Sequence, residues 1–236
     1  FFQPAAVFAA AQESRGLGDV YKRQQEMMPF KSISILSGPS FSNEVSQSLP
    51  TAVTLATKDK KDFENISKLI PNKEFRIYYS NDLIGTQIGG ALKNIYAIAA
   101  GIAEGLNLGE NAKSALISRS FAEMTRYAKK FKADKNTLFG LSGLGDLILT
   151  CSSKNSRNTQ FGIKLASSKY DNFLDLLKSQ EVTEGYYTVK AVYNISQKKN
   201  IDMPIMESVY NILYKQHDLK EELGNLLSRP ITEEKI

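Results

Sequence analysis

The sequence holds one cysteine, Cys151, among 236 residues. That excludes a disulfide within the chain and a cysteine-built metal cluster, and it fits a reducing compartment. The single histidine, His217, stands near the C-terminus, so Ser-His-Asp catalysis and His-ligated zinc are not expected and no metal is assigned. No apolar run reaches the roughly 18–20 residues of a membrane span, and a cytoplasmic location is the expectation. A long basic block is also missing. The net charge of +5 is dispersed, which argues against nucleic acid and suits an anionic small substrate. No internal repeat is visible. What remains is ordinary globular composition, 42% hydrophobic and 23% charged, long enough for one large or two small domains.

Residues 1–24 fit no element. Phe1–Ala11 is apolar but has no basic residue ahead of it, a poor signal peptide. Gly16-Leu17-Gly18 has neither a strand before it nor a third glycine after it, so it fails as a dinucleotide fingerprint. The segment resembles a translated sequencing-adapter tail and is expected to be non-native, or else a disordered terminus. From Lys31 order begins. Ile33–Leu36 reads as a strand ending at Ser37-Gly38-Pro39-Ser40, and Ser40 or Ser42 is placed to cap a short helix through Val45. The small-residue loop offers N–H groups to a phosphate or cofactor, or is only a turn. Thr51–Thr57 is a β-branched strand, Asp59–Ile70 an amphipathic helix with Phe63, Ile66 and Ile70 on one face, and Phe75–Tyr79 a third strand. Residues 25–80 thus read as the tail of an α/β sheet domain.

After Asn81 the pattern turns helical through residue 236. Asp82 caps a helix to about Glu104, in which Lys93 is the one charge among Ile88, Leu92, Ile95, Ala97 and Ile98. Desolvation disfavours an ammonium and would tune Lys93 toward proton transfer; the alternative is a lysine whose head reaches water. Gly89 and Gly90 let backbone or ligand come close. Asn111 is expected to cap a helix to about Phe131, with Ala115, Leu116, Phe121, Met124 and Tyr127 as its core stripe. A short helix over Lys135–Leu141, ended by Ser142-Gly143, precedes a helix over Gly145–Cys151. There Asp146 and Thr150, four apart, share a face; Asp146 is either a buried carboxylate needing a partner or a helix N-cap. Ser156-Arg157-Asn158 stands at a helix start, where free N–H groups, the dipole and a guanidinium fork make an anion site, unless Arg157 is simply solvated. Further helices are expected at Asp171–Lys178, Tyr187–Lys198, Pro204–Tyr214 and before Pro230.

Several of these pieces occur together in one family. Leu36–Phe41, Gly90–Asn94, Ala112–Arg119, Gly143–Leu147, Ser156–Asn158 and Glu184-Gly185, in that order and spacing from about Ile33 to Leu227, make the chain resemble bacterial NAD(P)-dependent glycerol-3-phosphate dehydrogenases. The resemblance implies the remnant of a Rossmann-like sheet domain followed by an all-helical substrate domain like the C-terminal domain of 6-phosphogluconate dehydrogenase. It implies NAD or NADP as cofactor, a small phosphorylated three-carbon substrate, and a homodimer. Lys93 matches the catalytic proton acceptor and Asp146 the carboxylate that orients it. Gly38, Ser40, Asn94, Thr150, Ser156, Arg157 and Asn158 match substrate contacts, and Ser42, Arg157 and Glu184 cofactor contacts. The family's opening strand with Gly-x-Gly-x-x-Gly has no counterpart here, so the chain alone is expected to turn over weakly or not at all. Two alternatives stand beside this one. The first is a lysine-dependent hydroxyacid or ketopantoate-type dehydrogenase, which lacks the Ser-Arg-Asn triplet here. The second is a non-enzymatic helical dimerisation or anion-binding module.

Overall fold

The computed structural model describes residues 32–70, 73–167, 183–230 and 233–234. The expectations for residues 1–24 and for a helix over Asp171–Lys178 lie outside these. Three strands, β1 (Ser34–Ser37), β2 (Thr51–Thr57) and β3 (Phe75–Ser80), form one sheet in the order β1-β2-β3. β1 runs antiparallel to β2, with Ser37 opposite Thr54, and β3 runs parallel to β2, with Phe75 opposite Thr51. β2 is the buried central strand, Val53, Leu55 and Ala56 being almost without solvent. A central β-branched strand fits that place, because its side chains pack on both faces of the pleat. Two helices lie between the strands, α1 (Ser42–Ser46) and α2 (Lys60–Lys68). Asp59 caps α2 through the Lys61 N–H at 2.8 Å. Phe63 of α2 meets the Tyr79 ring of β3 edge-on at 5.2 Å. β3 leaves Tyr78 and Tyr79 exposed, aromatic surface at the rim of a small sheet.

The helical region is wound around α3 (Leu83–Gly105). Asp82 does cap it, accepting from Gly85 N at 2.9 Å, and its second oxygen accepts from Asp134 N at 2.8 Å. Leu92, Ile95, Tyr96, Ala97 and Ile98 are fully buried, so α3 is apolar nearly all round and needs neighbours on every side. These are α4 (Gly109–Lys130), α5 (Lys135–Phe139), a π-helical turn (Leu141–Gly145), α6 (Asp146–Ser152), α7 (Arg157–Ser167), α8 (Glu184–Lys199) and α9 (Pro204–Lys215), with α10 (Leu219–Leu227) packed against α9. Where α3 crosses α7 the backbones touch: a Cβ on Gly101 would stand 2.1 Å from the Thr159 carbonyl oxygen. No described helix is long and apolar enough to cross a membrane.

Several local expectations are corrected. Neither Ser40 nor Ser42 caps α1. Phe41 holds that position without a side-chain bond, and the Ser40 hydroxyl donates to the Gly38 carbonyl instead. α4 begins at Gly109 rather than after Asn111, because the turn at Asn107 and Gly109, both at positive φ, already starts the helix. Ala115 is exposed: in the first half of α4 only Leu116 and Ile117 pack against the core, both partly buried, and the fully buried residues begin at Ser120. α5 stops at Phe139, and Ser142-Gly143 falls inside the π turn rather than ending a helix. α8 starts at Glu184, three residues before the expected Tyr187.

Candidate active site

α3 and the π turn are in van der Waals contact at a defined point. A Cβ on Gly89 would lie 2.1 Å from the Ser142 carbonyl oxygen. At Gly89 the close approach is therefore made by backbone. One turn further along both segments, Lys93 of α3 meets Asp146, the first residue of α6. Lys93 Nζ donates to Asp146 Oδ2 at 2.6 Å. A π turn shifts the side-chain register of the helix after it, and here that helix opens with Asp146.

Asp146 is 2% exposed and the Lys93 side chain 22%. The lysine head is thus neither in open water nor alone. Asp146 does not cap α6; Gly145 stands at that position. The Thr150 hydroxyl donates to the Asp146 carbonyl at 2.6 Å and lies 3.2 Å from Oδ1, so both carboxylate oxygens have a partner. Burial pushes the Asp146 carboxyl up from its ordinary value, while Lys93 and the Thr150 hydroxyl pull against it. A half-buried ion pair with a hydrogen-bonded carboxylate is a poised proton-transfer unit.

A second set of polar groups begins at the next residue of α3. Asn94 Nδ2 donates to Glu184 Oε2 at 3.3 Å, and Arg157 Nη2 donates to Glu184 Oε1 at 3.0 Å. Asn158 Nδ2 donates to Asn94 Oδ1 at 3.1 Å, and Asn158 Oδ1 accepts from Gly185 N at 3.0 Å. Only glycine fits at 185, where a Cβ would stand 2.6 Å from the Asn94 carbonyl oxygen. This network draws the N-termini of α7 and α8 together beside Lys93, so two positive helix ends converge. Ser156 is buried, and its Oγ accepts from Thr159 N at 3.3 Å, closing the start of α7. The Arg157 side chain, 79% exposed, is both ion-paired and open to a further anion.

The end of β1 abuts the same region. A Cβ on Gly90 would be 3.0 Å from Ser37 Oγ, and one on Gly145 would be 3.9 Å from Pro39 Cδ. Gly38 has φ +149°, and a Cβ there would meet Val53 Cα at 2.9 Å, so β2 backbone alone demands glycine. Ser37 and Pro39 thus stand beside α3 and the π turn, with Gly38 between them in the chain and Ser40 next after Pro39. Ser42 is exposed at the start of α1. Sequence reasoning passed over two buried polar residues. Thr159 lies between the two networks, its hydroxyl donating to the Thr150 carbonyl at 2.7 Å. Glu123 of α4 accepts from Ile205 N at 2.6 Å and Met206 N at 3.1 Å, capping α9 from outside. Burial pushes the Glu123 carboxyl up to about 7, against those two N–H bonds. No local spacing marks either residue; only a solvent-poor environment does.

The chain also matches known proteins in sequence and in fold. The family model for the NAD-dependent glycerol-3-phosphate dehydrogenase C-terminus matches residues 82–224, and that for the N-terminus matches residues 12–63. The chain is 47% identical over 201 residues to glycerol-3-phosphate dehydrogenase [NAD(P)+] of Solidesulfovibrio magneticus, covering 85% of this chain and 60% of that protein. It is 44% identical over 199 residues to the protein of the same name from Colwellia psychrerythraea, covering 84% and 59%. The chain thus spans about 60% of the length of these curated relatives. Among solved structures, glycerol-3-phosphate dehydrogenase from Coxiella burnetii superposes with a TM-score of 0.84 at 36% identity, over 89% of this chain and 64% of that one. The Saccharomyces cerevisiae enzyme gives 0.77 at 25%, over 91% and 65%. The C-terminus model alone covers more than half of the chain, so the chain belongs to the NAD-dependent glycerol-3-phosphate dehydrogenase family.

Proposed function

We propose that this chain carries the substrate-binding and proton-transfer part of a dehydrogenase that interconverts sn-glycerol 3-phosphate and dihydroxyacetone phosphate with NAD or NADP, supplying glycerophospholipid synthesis. A cytoplasmic location and a homodimeric assembly, as the resemblance implies, belong to the same reading. The observation that carries it is the 2.6 Å Lys93–Asp146 pair one residue away from the Asn94–Glu184–Arg157 network. The first is suited to a hydroxyl, the second to a phosphate, and a three-carbon phosphoester carries both.

In oxidation Lys93 Nζ takes the C2 hydroxyl proton, and Asp146 stabilises the ammonium that forms. In reduction the same ammonium donates its proton to the C2 oxygen, and the ion-paired state in the structure is the donor state. Thr150 fixes the carboxylate. Arg157 and the first N–H groups of α7, closed by Ser156, hold the phosphate. Asn158 is 6% exposed and its amide is engaged by Gly185 and Asn94, so it keeps the two helix starts together. Gly38 and Ser40 close the substrate's other side. The convergent positive ends of α7 and α8, with an exposed guanidinium between them, fit the anionic part of a dinucleotide, for which Arg157, Glu184 and Ser42 are the contacts. A nicotinamide cofactor held there would supply the hydride acceptor or donor for C2.

Calorimetric titration of the chain tests this reading. Glycerol 3-phosphate and dihydroxyacetone phosphate bind, while glycerol and ketopantoate do not, and Arg157→Ala abolishes the binding. Equal binding of ketopantoate, or phosphoester binding that survives Arg157→Ala, refutes it.

A further inference from the structure

Thr159 has no solvent-exposed surface and stands where three helices meet. Its N–H donates to Ser156 Oγ, its hydroxyl donates to the Thr150 carbonyl at 2.7 Å, and its own carbonyl rests against Gly101 of α3. Thr150 lies in the last turn of α6, where carbonyls have no helical N–H ahead to accept from. The Thr159 hydroxyl supplies the missing donor from the first turn of α7. Beyond Thr150 the contacts continue without a gap. The Thr150 hydroxyl holds Asp146, and Asp146 holds Lys93. On the other side Thr159 closes the turn that carries Ser156, Arg157 and Asn158.

We propose that Thr159 is a positioning residue coupling the Ser156-Arg157-Asn158 turn to the Lys93–Asp146 pair. An anion seated on Arg157 draws in the start of α7. The Thr159 hydroxyl passes that displacement to the end of α6 and, through Thr150, to the carboxylate facing Lys93. The phosphate end of the substrate thereby sets the proton-transfer pair before the C2 hydroxyl arrives. The alternative is a bond that merely satisfies a buried carbonyl, and two sites joined by contacts are coupled only if occupying one changes the other. This inference rests on the reading of Arg157 as a phosphate site.

The test uses the chain itself with inorganic phosphate as the probe. Two quantities are read: phosphate binding by calorimetry, and the rate of Lys93 acetylation by acetic anhydride relative to Lys198, by peptide mass spectrometry. In the wild-type chain phosphate binds and changes the relative Lys93 rate about fivefold, the lower end of ordinary coupling. Thr159→Val keeps the volume and removes the hydroxyl; phosphate still binds, but the Lys93 rate no longer responds. Thr159→Ser keeps the hydroxyl and the response, an outcome that simple packing would not produce. Where Thr159→Val fails to fold by circular dichroism, Thr159→Ala takes its place. A wild-type response retained in the hydroxyl-free variant overturns the inference, as does a response lost in folded Thr159→Ser or absent from wild type that binds phosphate. Absence of phosphate binding by wild type overturns the phosphate reading of Arg157, and this inference with it.

Discussion

Gly89→Ala places a single methyl group at the contact between α3 and the π turn. The added Cβ would stand 2.1 Å from the Ser142 carbonyl oxygen and 3.1 Å from Gly143 Cα. Both neighbours are backbone, so no flexible side chain can give way. To reach even 3.0 Å from the oxygen, the turn must withdraw by about 0.9 Å. Asp146 begins the helix directly after that turn. A withdrawal of this size lengthens the 2.6 Å Lys93–Asp146 bond to about 3.5 Å, where it no longer counts as a strong hydrogen bond. The overpacking itself costs about 1–3 kcal/mol, and the buried Asp146 carboxylate left with a weakened partner adds to that. The control is Gly224→Ala in α10, where nothing lies within 4 Å of the new Cβ. Removing a helical glycine there stabilises by about 0.5–1 kcal/mol. Urea unfolding followed by circular dichroism reads the stability, and Lys93 acetylation reads the ion pair. The expected result is a lower urea midpoint and faster Lys93 modification for Gly89→Ala only. Wild-type stability together with unchanged Lys93 reactivity would show that the π turn does not set the position of Asp146.

Two further outcomes concern buried polar groups. Glu123 holds its proton more tightly folded, at about 7, than its ordinary 4.5. The stability this contributes is therefore full below about pH 4.5 and is lost as the pH rises through about 7, of order 3 kcal/mol in all. Wild type should lose stability relative to Glu123→Gln between about pH 5 and 8 in urea titrations, and parallel pH profiles would contradict the sign. Asn158→Ala leaves the Gly185 N–H and Asn94 Oδ1 without their partner in a buried place. It should cost about 2 kcal/mol or more in urea unfolding and weaken phosphate binding, and a loss below about 0.5 kcal/mol would show that the network is incidental.

Elements whose signals are local were legible in the sequence. Asp82 before α3 and Pro204 at the start of α9 act within their own first turn, and both helices run as expected to within a residue. The three strands and the sheet–helix division were equally plain, because each rests on side-chain periodicity. Elements set by a distant surface were not legible. The π turn exists against Gly89, more than fifty positions earlier in the chain, and nothing in Leu141–Gly145 announces the extra backbone turn. The start of α8 was not legible either: Thr183 stands at its cap position without a side-chain capping bond, and the Gly185 N–H goes to Asn158 instead. Lys93 and Asp146 could be chosen as residue types out of place in apolar runs, but their pairing across 53 positions is a product of the fold. Glu123 was hidden for the converse reason: on a helix with polar residues along its length, a glutamate gives no sign that it faces inward to cap α9.

The most direct measurement is a crystal structure of the chain soaked with glycerol 3-phosphate. The phosphate is expected on the Arg157 guanidinium and the first N–H groups of α7, with the C2 hydroxyl within hydrogen-bond distance of Lys93 Nζ. A phosphate bound elsewhere, or a C2 hydroxyl facing away from Lys93, would contradict the proposed division of labour between the two networks.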